Sequence, residues 1–519
     1  MLNIGSRREC FFDDFLLNNE KTTAKIRLHH PEKRECVLLH DAPWEGAACG
    51  YHHIFFDPRW HGVRGDYPNG TYRLYYYGSH SREFPCHLSE EQMEDGYRIC
   101  YAESGDGIHF EKPDLGICTY GGNTHNNLIL DKTIHPESCQ LYVFYDENPD
   151  CPKSERYKGI TAWDLPKVPG KRNEFRLFTM LSEDGIHFRF GDMITNKGYF
   201  DSLNIVMWDE EERLYRLYAR GMRIKGMSAA ESTEIGWDAI GGKITDPSVK
   251  AYREVFYYES KDYKTWSEPI CLSYDDSDEY HMYTNGISRY RRAPHIYIGF
   301  PTRYRERTEW TENYDELCGK EKRFARYKKM PRFGLAVTDC GFMTSRDGLH
   351  FYRFKEAFMR PGPEHPNAWL YGDCFPTPLP QPTHSLVHGA DDELSFYSVS
   401  GHCLGDPPAL YRYTIRTDGF TSLHADGEEE TVITKPFIYE GDAMYANLST
   451  SAFGYLYFTL SCDEQSAESC EIFGDSIDKR IHFPEDALRR FSGKEVVLSV
   501  RMADADLYSI KFSKEGAPL

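Results

Sequence analysis

Two acidic residues precede segments that are expected to form buried strands. Asp201 begins an apolar segment, and Glu45 follows Trp44 shortly before the apolar residues 51–56. Cleavage of a glycosidic bond commonly uses two carboxyl groups, of which one protonates the leaving oxygen and the other attacks the anomeric carbon or activates water. An aromatic ring beside a carboxylate offers a face on which a sugar can stack. Asp201 and Glu45 are therefore the candidate catalytic residues of a carbohydrate-active site.

The elements that would position these carboxylates are indicated by a repeated turn. Its aspartates are Asp106, Asp184, Asp262, Asp347 and Asp418, spaced by 78, 78, 85 and 71 residues. Four of the five copies continue with glycine. Asp-Gly between alternating apolar runs is typical of a tight hairpin, because glycine adopts a positive φ and aspartate tolerates it.

Each turn is preceded by apolar or aromatic strand segments and followed by a short further strand. The segments predicted as innermost strands are residues 51–56, 127–130, 203–208, 282–287 and 369–375. The segments predicted as second strands are residues 72–78, 141–146, 214–220, 295–300 and 394–398. Four strands per unit in radial repetition are typical of a propeller blade. The sequence predicts an all-β fold, a five-bladed β-propeller followed by a small β-sandwich, with an array of two sandwiches as the alternative.

The turn motif stops near residue 425, which suggests three parts of the chain. Residues 41–424 are the predicted propeller and residues 425–519 the predicted sandwich, with strands in 454–460, 495–502 and 505–512. Residues 1–40 are expected to pack on either of them. No convincing pattern of a long amphipathic helix interrupts the series.

Composition limits the class of protein. The 519 residues carry a net charge of −20, which disfavours a general nucleic-acid binder. No apolar run of about 20 residues predicts a membrane span, and the N-terminal residues do not suggest a signal peptide. The 15 scattered cysteines indicate neither a disulfide framework nor a zinc site, so we expect a cytoplasmic protein without a metal or other cofactor. The 37 tyrosines are typical of strand-rich proteins and of sugar sites.

The turns of the type Asp-Gly-Ile-His-Phe followed by Glu-Lys-Pro, the order of the blades and the trailing sandwich resemble a known group. The chain is similar over residues 41–515 to the five-bladed propeller glycosidases, which include glycoside hydrolase families 32, 43 and 68 and the related family 130 phosphorylases. The resemblance implies a carbohydrate substrate and an acidic residue on each innermost strand of the first three blades. It gives Glu45 the nucleophile or base position and Asp201 the general-acid position.

The sequence departs from the family pattern at each of these positions. The blade-one string Asn-Asp-Pro-Asn-Gly is absent around Glu45, with Asp41 as a weaker substitute. The families have a glutamate where this chain has Asp201, and an aspartate in blade two where it has Asn126 and Asn127. These amides would bind hydroxyl groups or cap the loop backbone, and Asp146 would supply the missing charge. The structural alternatives are that Asp201 caps a strand and that Glu45 is a solvated carboxylate at the rim.

Loop lengths predict which face carries the site. The connections between second and third strands are long, in residues 80–96, 147–173, 221–253 and 301–340, whereas the Asp-Gly turns of the other face are minimal. Long loops on a rigid scaffold often carry function. The further candidates for substrate binding on the long-loop face are Trp44, His53, Asn204, Arg220, Glu279, Tyr283, Asn285, Arg303, Tyr371 and Asp373. Arg220 and Arg303 would bind a hydroxyl, carboxylate, sulfate or phosphate, or form surface ion pairs.

Three functions remain open from the sequence. The first is a hydrolase of a short oligosaccharide or glycoside, such as a furanoside, with paired carboxylates in the funnel. The second is a phosphorylase or transglycosylase, which clustered Arg and His beside one carboxylate would favour. The third is a non-catalytic carbohydrate-binding propeller. The basic residues 320–329 form a solvated loop, a lid over an anionic sugar or a contact in a homo-oligomer.

Overall fold

The computed structural model describes residues 2–80, 88–89, 92, 96–131, 140–164, 175–240, 249–484 and 486–517. Within these residues the chain is mostly strand with few helices. Four N-terminal strands come first: β1 (Leu2–Gly5), β2 (Arg8–Cys10), β3 (Lys25–Leu28) and β4 (Glu32–Leu39). No helix among the described residues is long and apolar enough to cross a membrane.

Three four-stranded antiparallel sheets follow in the described residues. Sheet one contains β5 (Gly50–Asp57), β6 (Thr71–His80), β7 (Gly96–Ser104) and β8 (Leu128–Leu130). Sheet two contains β9 (Tyr142–Tyr145), β10 (Tyr157–Asp164), β11 (Phe175–Ser182) and β12 (Arg189–Thr195). Sheet three contains β13 (Ile205–Asp209), β14 (Leu214–Ile224), β15 (Ala251–Ser260) and β16 (Ile270–Cys271).

The fourth group of strands is split. Strands β17 (Ser273–Tyr274), β19 (Ser288–Tyr290), β20 (Ala293–Gly299), β23 (Met343–Ser345) and β24 (His350–Arg353) form one sheet, and β18 (His281–Met282), β21 (Thr302–Glu306) and β22 (Ala336–Cys340) form a smaller one. Sheet five contains β25 (Gln381–Thr383), β26 (Glu393–Ser400) and β27 (Ala409–Arg416), and β4 pairs with β27 at its edge. The N-terminal region therefore completes the last of these sheets.

The remaining strands form a ten-stranded sheet in the described part of the chain. It combines β1, β2 and β3 with β28 (Thr421–Ala425), β29 (Glu430–Ile433), β30 (Phe437–Tyr439), β31 (Ala443–Cys462), β32 (Gln465–Glu468), β33 (Asp475–Ile481) and β34 (Glu495–Ser513). The two strands expected in residues 495–502 and 505–512 are one strand, β34. A separate apolar core lies under this sheet, with Phe437, Phe458 and Phe512 fully buried.

Helices occur in the long connections. They are α1 (Ala229–Ile240), α2 (Glu312–Glu316), α3 (Lys320–Lys329), α4 (Pro331–Leu335) and, near the C-terminus, α5 (Ala487–Phe491), with a short 3-10 turn at Lys153–Glu155. The sequence pattern did not predict α1 or α3. Helix α3 covers the basic residues 320–329, so the expectation of a solvated loop is wrong for this segment: Arg323 and Arg326 are buried.

The Asp-Gly turns hold neighbouring sheets together. In the first turn, Asp106 Oδ1 accepts hydrogen bonds from the N–H groups of Ile108 and His109 at 2.8 and 2.9 Å. The glycine carbonyls of three turns accept hydrogen bonds from tyrosines of adjacent sheets: Tyr75 to Gly185, Tyr218 to Gly348, and Tyr397 to Gly107. Gly348 has a φ of 75°, and a Cβ atom there would lie 2.6 Å from Tyr218 Oη. Glycine is thus needed both for the turn and for the close approach.

Each group of strands contacts the next. His53 of sheet one accepts a hydrogen bond from Val143 N of sheet two, and Tyr263 of the turn after β15 bonds to Gly159 O of sheet two. Sheet three meets the fourth group at Tyr218 and Gly348, and the fourth group meets sheet five at Phe300 and Phe396, whose ring centroids are 4.7 Å apart. Sheets five and one meet where Gln381 Oε1 accepts from Phe56 N at 2.8 Å. The contacts therefore return from the fifth group to the first.

Several strand assignments from the sequence are wrong. Residues 127–130 were expected to open the second unit, but β8 pairs with β7 as the outer strand of sheet one, and β9 is the first strand of sheet two. The predicted connection 147–173 accordingly contains β10. Residues 369–375, expected as an innermost strand, form turns, and β25 takes that place. The predicted loop 80–96 falls largely outside the described residues.

Candidate active site

Glu45 lies in the turn before β5, enclosed by hydrogen-bond donors. Its Oε1 accepts a hydrogen bond from Tyr76 Oη at 2.6 Å and lies 3.3 Å from His40 Nδ1. Its Oε2 accepts from the backbone N–H of Ala42 and from Lys112 Nζ, both at 2.8 Å. The side chain is completely buried. These contacts occupy both carboxylate oxygens and join the turn to sheet one.

The charge on Glu45 is stabilised by the same groups. Burial raises the pKa of the carboxyl, but the hydrogen bond and charge of His40 and those of Lys112 outweigh it and hold the pKa at about 2. A carboxyl group with such a pKa is ionised at neutral pH and is a poor proton donor. The catalytic role predicted for Glu45 is untested, and its surroundings fit a structural ion pair better.

Trp44 and the two amides belong to the same structural region. Trp44 Nε1 donates to Asn127 Oδ1 at 2.6 Å, and Asn127 Nδ2 donates to Tyr101 O at 2.6 Å. Asn126 Nδ2 donates to Cys118 O at 2.9 Å, and its Oδ1 accepts from the N–H of Leu128. Both amides are buried and cap the connection into β8. The expected position at the opening of the second unit is therefore wrong for Asn126 and Asn127, since β8 is an outer strand.

His53 and Asp146 lie between sheets. The His53 ring stacks on Tyr75 and Tyr142 at centroid distances of 5.0 and 4.7 Å, and burial lowers its pKa to about 3. Asp146 is completely buried and accepts hydrogen bonds from Lys158 Nζ at 2.6 Å and from Tyr215 Oη at 2.7 Å. These contacts join sheet two to its neighbours, and neither group lies beside Asp201 in the described contacts.

Three further candidates are engaged elsewhere. Arg303 forms a two-fold ion pair with Asp339, with both N–O distances at 2.7 Å. Glu279 is partly exposed and accepts a hydrogen bond from Tyr252 Oη at 2.9 Å. Asn285 is buried and donates to the backbone oxygen of Tyr218 while accepting from the N–H of Ile287. The structure does not bring these three side chains together with Asp201.

Asp201 lies in a turn before β13 that Asn204 shapes. Asn204 Nδ2 donates to Phe200 O at 3.0 Å and to Ser202 O at 2.7 Å, and its Oδ1 accepts from the N–H of Arg220 at 3.0 Å. The amide thus fixes the turn against β14. Tyr51 Oη donates to the backbone oxygen of Asp201 at 2.9 Å from the start of β5. Asn204 has a positioning role, and sheets one and three meet at Asp201.

The Asp201 carboxylate contacts the Arg220 guanidinium. The Asp201 side chain is 38% exposed, whereas Arg220 is 3% exposed. Arg220 Nε donates to Tyr199 O at 3.0 Å, Nη2 contacts Asp201, and Nη1 is buried without a hydrogen-bond partner in the described part of the structure. An accessible carboxylate and a buried cation with a free donor therefore meet at this point.

Tyr283, just after β18, lies at the centre of a group of cations. The guanidinium carbons of Arg220 and Arg253 lie 4.9 and 5.5 Å from the centroid of its ring. Tyr371 Oη donates a hydrogen bond to Tyr283 Oη at 2.6 Å. Burial raises the pKa of Tyr283, but the charges of Arg220 and Arg253, the Tyr371 hydrogen bond and the charge of Arg332 together lower it to about 8.

Arg253 has no anionic partner among the residues that the structure describes. It is 4% exposed, and its Nη1 lies 3.4 Å from His281 Nδ1. Its guanidinium faces the rings of Tyr283 and Tyr304. Among the described residues no carboxylate forms an ion pair with it. A buried cation is expected to be paired, because an isolated charge loses its hydration.

Tyr371 and Asp373 come from the turns before β25. The Asp373 Oδ2 atom accepts a hydrogen bond from Leu370 N at 2.8 Å, and burial raises the pKa of this carboxyl to about 7. Arg326 of α3 donates to Tyr371 O at 3.4 Å. Asp201, Arg220, Tyr283 and Arg253 are called the Asp201 region below. Tyr371 belongs to it through its hydrogen bond to Tyr283. Asp373 is buried behind it, at 8% exposure.

The sequence did not single out Tyr51, Arg253 or Arg332. Tyr51 has a φ of 49°, which is uncommon for a bulky residue. Arg253 precedes Val255 and Tyr257 on the same face of β15, and Met222 is its pairing partner on β14. A charged residue in a buried alternating strand is the feature that could have identified Arg253. Arg332 lies in α4, which no sequence pattern predicted.

Metal ligands do not cluster in the described parts of the chain. No group of three or more His, Cys, Asp or Glu side chains there could hold a metal ion.

The chain matches no family model and no curated protein. It is similar to a solved N-acetylgalactosamine deacetylase of F. plautii, with 13% identity, a TM-score of 0.43 and coverage of 74% of this chain and 96% of that one. A GH32 beta-fructofuranosidase of Bombyx mori has 9% identity, a TM-score of 0.38 and coverage of 94% and 95%. A GH93 alpha-L-arabinofuranosidase of Fusarium graminearum has 10% identity, a TM-score of 0.36 and coverage of 78% and 93%.

These solved structures include propeller glycosidases of the kind that the sequence resembles. At these TM-scores and identities the likeness carries no argument about the activity of this chain.

Proposed function

We propose that the chain cleaves O-glycosyl bonds at the Asp201 region and transfers the glycosyl unit to inorganic phosphate, as a glycoside phosphorylase. The observation that carries the proposal is Arg253, which is buried against Tyr283 without a carboxylate partner among the described residues. Tyr283 also contacts Arg220, the partner of Asp201. The resemblance to propeller glycosidases and family 130 phosphorylases supports the glycosidic substrate.

The cations supply the reason for phosphate. Arg220 Nη1 has no hydrogen-bond partner among the described residues, and the guanidinium groups of Arg220 and Arg253 both lie against the Tyr283 ring. Guanidinium groups bind phosphate and carboxylate oxygens through paired N–H donors. The chain as a whole has a net charge of −20, so this local excess of cations is not a general property of its surface. An anion bound here would reach the reacting carbon from beside Asp201.

Asp201 would act in its ionised form. The Arg220 guanidinium stabilises the carboxylate, and this favours a charge-stabilising role at the anomeric carbon over proton donation. The acid role that the family position gives to Asp201 remains a prediction. The paired-carboxylate hydrolase is less well supported, since Glu45 is enclosed by Lys112, His40 and Tyr76.

Aromatic rings supply a surface for the sugar. Tyr51 and Tyr77 are half-buried with ring centroids 5.1 Å apart, and Tyr371 lies beside Phe333 at 5.4 Å. Tyrosine rings stack on sugar faces and their hydroxyl groups bind sugar hydroxyls. This arrangement supports a short glycoside as the substrate, with Asp201 next to the ring of the unit that is transferred.

The scaffold that we propose is a five-bladed β-propeller with a C-terminal β-sandwich. Sheets one to three, the split fourth group and sheet five would be the blades, and the ten-stranded sheet would fold into the sandwich. The contact of sheet five with sheet one and the pairing of β4 with β27 support a ring of blades. Residues on the starts of the first strands and the ends of the second strands would then share one face, which is where Asp201, Arg220 and Tyr283 meet.

A hydrolase acting on an acidic sugar is the second candidate. Its support is the same pair of guanidinium groups, because the carboxylate of a sugar acid would satisfy Arg253 as phosphate would. The two candidates differ in the source of the anion: a free phosphate in the first and the substrate itself in the second.

Turnover with and without phosphate separates the candidates. Furanosyl and pyranosyl disaccharides, together with glycosides of sugar acids, are incubated with the protein, and sugar phosphate and free sugar are measured separately. Phosphorolysis predicts sugar phosphate formed only when phosphate is present, and Asp201→Asn is the inactive control. Free sugar released from an acidic glycoside without phosphate would support the hydrolase. Binding of sugars without any cleavage would support the non-catalytic alternative.

A further inference from the structure

The site described so far has no assigned proton donor. Leaving-group protonation requires a group that is protonated near neutral pH and close to the reacting bond. Asp201 is paired with Arg220, and Glu45 is buried among hydrogen-bond donors. We propose that Tyr283 Oη is the group that protonates the leaving oxygen, an inference that rests on the proposed glycoside-cleaving function.

The hydrogen bond between the two tyrosines leaves the Tyr283 proton available. Tyr371 Oη donates and Tyr283 Oη accepts at 2.6 Å, so Tyr371 does not use the hydrogen of Tyr283. The Tyr283 ring is fixed by edge contacts with Tyr371 and Phe375, at centroid distances of 5.6 and 5.5 Å. Its backbone oxygen accepts a hydrogen bond from Ser202 Oγ at 2.6 Å, which connects Tyr283 to the residue next to Asp201.

The charged and titratable groups around Tyr283 come from several elements. They are Arg220 on β14, Arg253 on β15, Arg332 in α4, Tyr304 on β21, Tyr51 on β5, Tyr371 in the turn before β25, His281 beside Arg253, and Asp201 beside Arg220. Three of these groups are cations and one is a carboxylate already paired. The phenolate that forms on proton transfer is therefore stabilised by positive charge.

The balance of these groups suits proton donation at neutral pH. A pKa of about 8 keeps Tyr283 protonated at pH 7. This pKa is also close enough to neutral pH for efficient proton transfer. Asp373, whose pKa of about 7 would also permit an acid role, is as buried as Tyr283, but its Oδ2 is bonded to Leu370 N and no described contact joins it to Asp201 or Arg220. A variant of Asp373 therefore belongs in the test as the competing donor.

The reaction balances as follows. The glycosidic C–O bond breaks with its electron pair on the leaving oxygen, and Tyr283 Oη gives its proton to that oxygen. A phosphate oxygen forms the new bond to the anomeric carbon, and ionised Asp201 stabilises the positive charge that develops there. The proton that hydrogen phosphate loses on forming the glycosyl bond restores the Tyr283 hydroxyl. The products are an alcohol and a glycosyl phosphate.

The decisive comparison uses two leaving groups. An alkyl or sugar leaving group needs a proton, whereas a nitrophenolate leaves without one. We expect Tyr283→Phe to lower kcat about 10²- to 10⁴-fold on a disaccharide and to retain most of the activity on the nitrophenyl glycoside of the same sugar. The alkaline limb of the kcat/KM profile, near pH 8 in the unmodified protein, should be lost in the variant.

Matched variants control for structure and for the competing donor. Tyr257→Phe removes another buried hydroxyl, one bonded to Glu259 at the other end of β15, and should leave both activities unchanged. Asp373→Asn should keep the ratio of the two activities, on the disaccharide and on the nitrophenyl glycoside, that the unmodified protein has. The inference would be overturned if Tyr283→Phe lost the same activity on both substrates or kept the alkaline limb. It would also be overturned if Asp373→Asn, and not Tyr283→Phe, lost activity on the disaccharide selectively. The absence of cleavage of any glycoside by the unmodified protein would instead overturn the proposed function.

Discussion

The two carboxylates predicted from the sequence lie in opposite electrostatic surroundings. Glu45 has a full set of partners: Lys112, His40, Tyr76 and a backbone N–H group. Asp201 is partly exposed, and in its region a buried arginine, Arg253, has no carboxylate partner among the described residues. Glu45 is thus fully paired, whereas the described residues around Asp201 include two buried arginines for one carboxylate.

The difference shows how a structural and a reactive carboxylate can share one sequence pattern. Both residues precede the first strand of a sheet, and both would be assigned to the site by position. Removal of one partner from a fully paired buried charge destabilises the fold, whereas a buried cation without a partner favours the binding of an anion. The variants described below alter the two regions separately.

The largest effect is expected at Asp201. Asp201→Asn keeps the shape of the side chain but removes the charge that stabilises the transition state. We expect kcat/KM for glycoside cleavage by the folded protein to fall about 10³-fold. The free energy of unfolding should fall as well, because the substitution leaves the buried Arg220 without its carboxylate partner. Steady-state kinetics and denaturant unfolding of the same preparation measure both. Retention of full activity would show that the site is misassigned.

Glu45→Gln should lower stability without lowering activity. Breaking the pair with Lys112 leaves a partly buried cation, and the free energy of unfolding should fall by about 3 kcal/mol while kcat/KM of the folded protein stays unchanged. The carboxyl has a pKa of 4.5 in the unfolded chain and about 2 in the folded one, so its stabilisation is complete above pH 4.5 and is lost as the pH falls towards 2.

The stability difference from the unmodified protein should therefore shrink at acid pH, as measured by urea unfolding at several pH values. A loss of kcat/KM without a loss of stability would return Glu45 to the site.

The sequence predicted much of the strand order but not every pairing. The Asp-Gly turns and the strands near residues 51–56, 203–208 and 214–220 are present, because turn chemistry and alternating burial are local properties. Residues 128–130 and 142–145 are both short, apolar and buried, and local periodicity does not determine which neighbour a strand pairs with. The helices in the long connections were missed because tertiary contacts, such as those of the buried Arg326, stabilise them.

The site was predicted only in part for a similar reason. Asp201 and Arg220 do come together, because each lies near an end of a strand that the sequence predicted. Tyr371 joins them through Tyr283, although its segment forms turns and not the expected strand. Arg253 was missed although its alternating strand carried a signal, because the rings of Tyr283 and Tyr304 that cover it come from other parts of the fold. The closed surroundings of Glu45 depend on Lys112, which is 67 residues away in the sequence.

Arg253→Met tests whether Arg253 binds the anion. The loss of charge-assisted hydrogen bonds should weaken phosphate binding by about 2 kcal/mol, or about 30-fold in Kd. Because the variant removes a buried charge without a carboxylate partner in the described structure, the stability of the ligand-free protein should not fall. Arg303→Met is the matched control, since Arg303 is paired with Asp339 outside the site. An equal effect of both variants on phosphate affinity would contradict a specific role for Arg253.

The smallest effect is expected at His53. This residue is neutral in the folded protein, with a pKa of about 3 against 6.5 in the unfolded chain. Its contribution to stability is therefore present above pH 6.5 and declines as the pH falls towards 3. His53→Gln removes this dependence, so the unmodified protein should lose about 1 kcal/mol more than the variant between pH 6.5 and 5.5. Parallel stability curves would show that His53 remains accessible to protons.

The most direct test of the account is calorimetric titration of inorganic phosphate into the unmodified protein, Arg253→Met and Glu45→Gln. We predict saturable binding at one site, weakened by the Arg253 substitution and unchanged by the Glu45 substitution in the folded protein. Absence of saturable binding, or binding that depends on Glu45 and not on Arg253, would contradict the assignment of the anion to the Asp201 region.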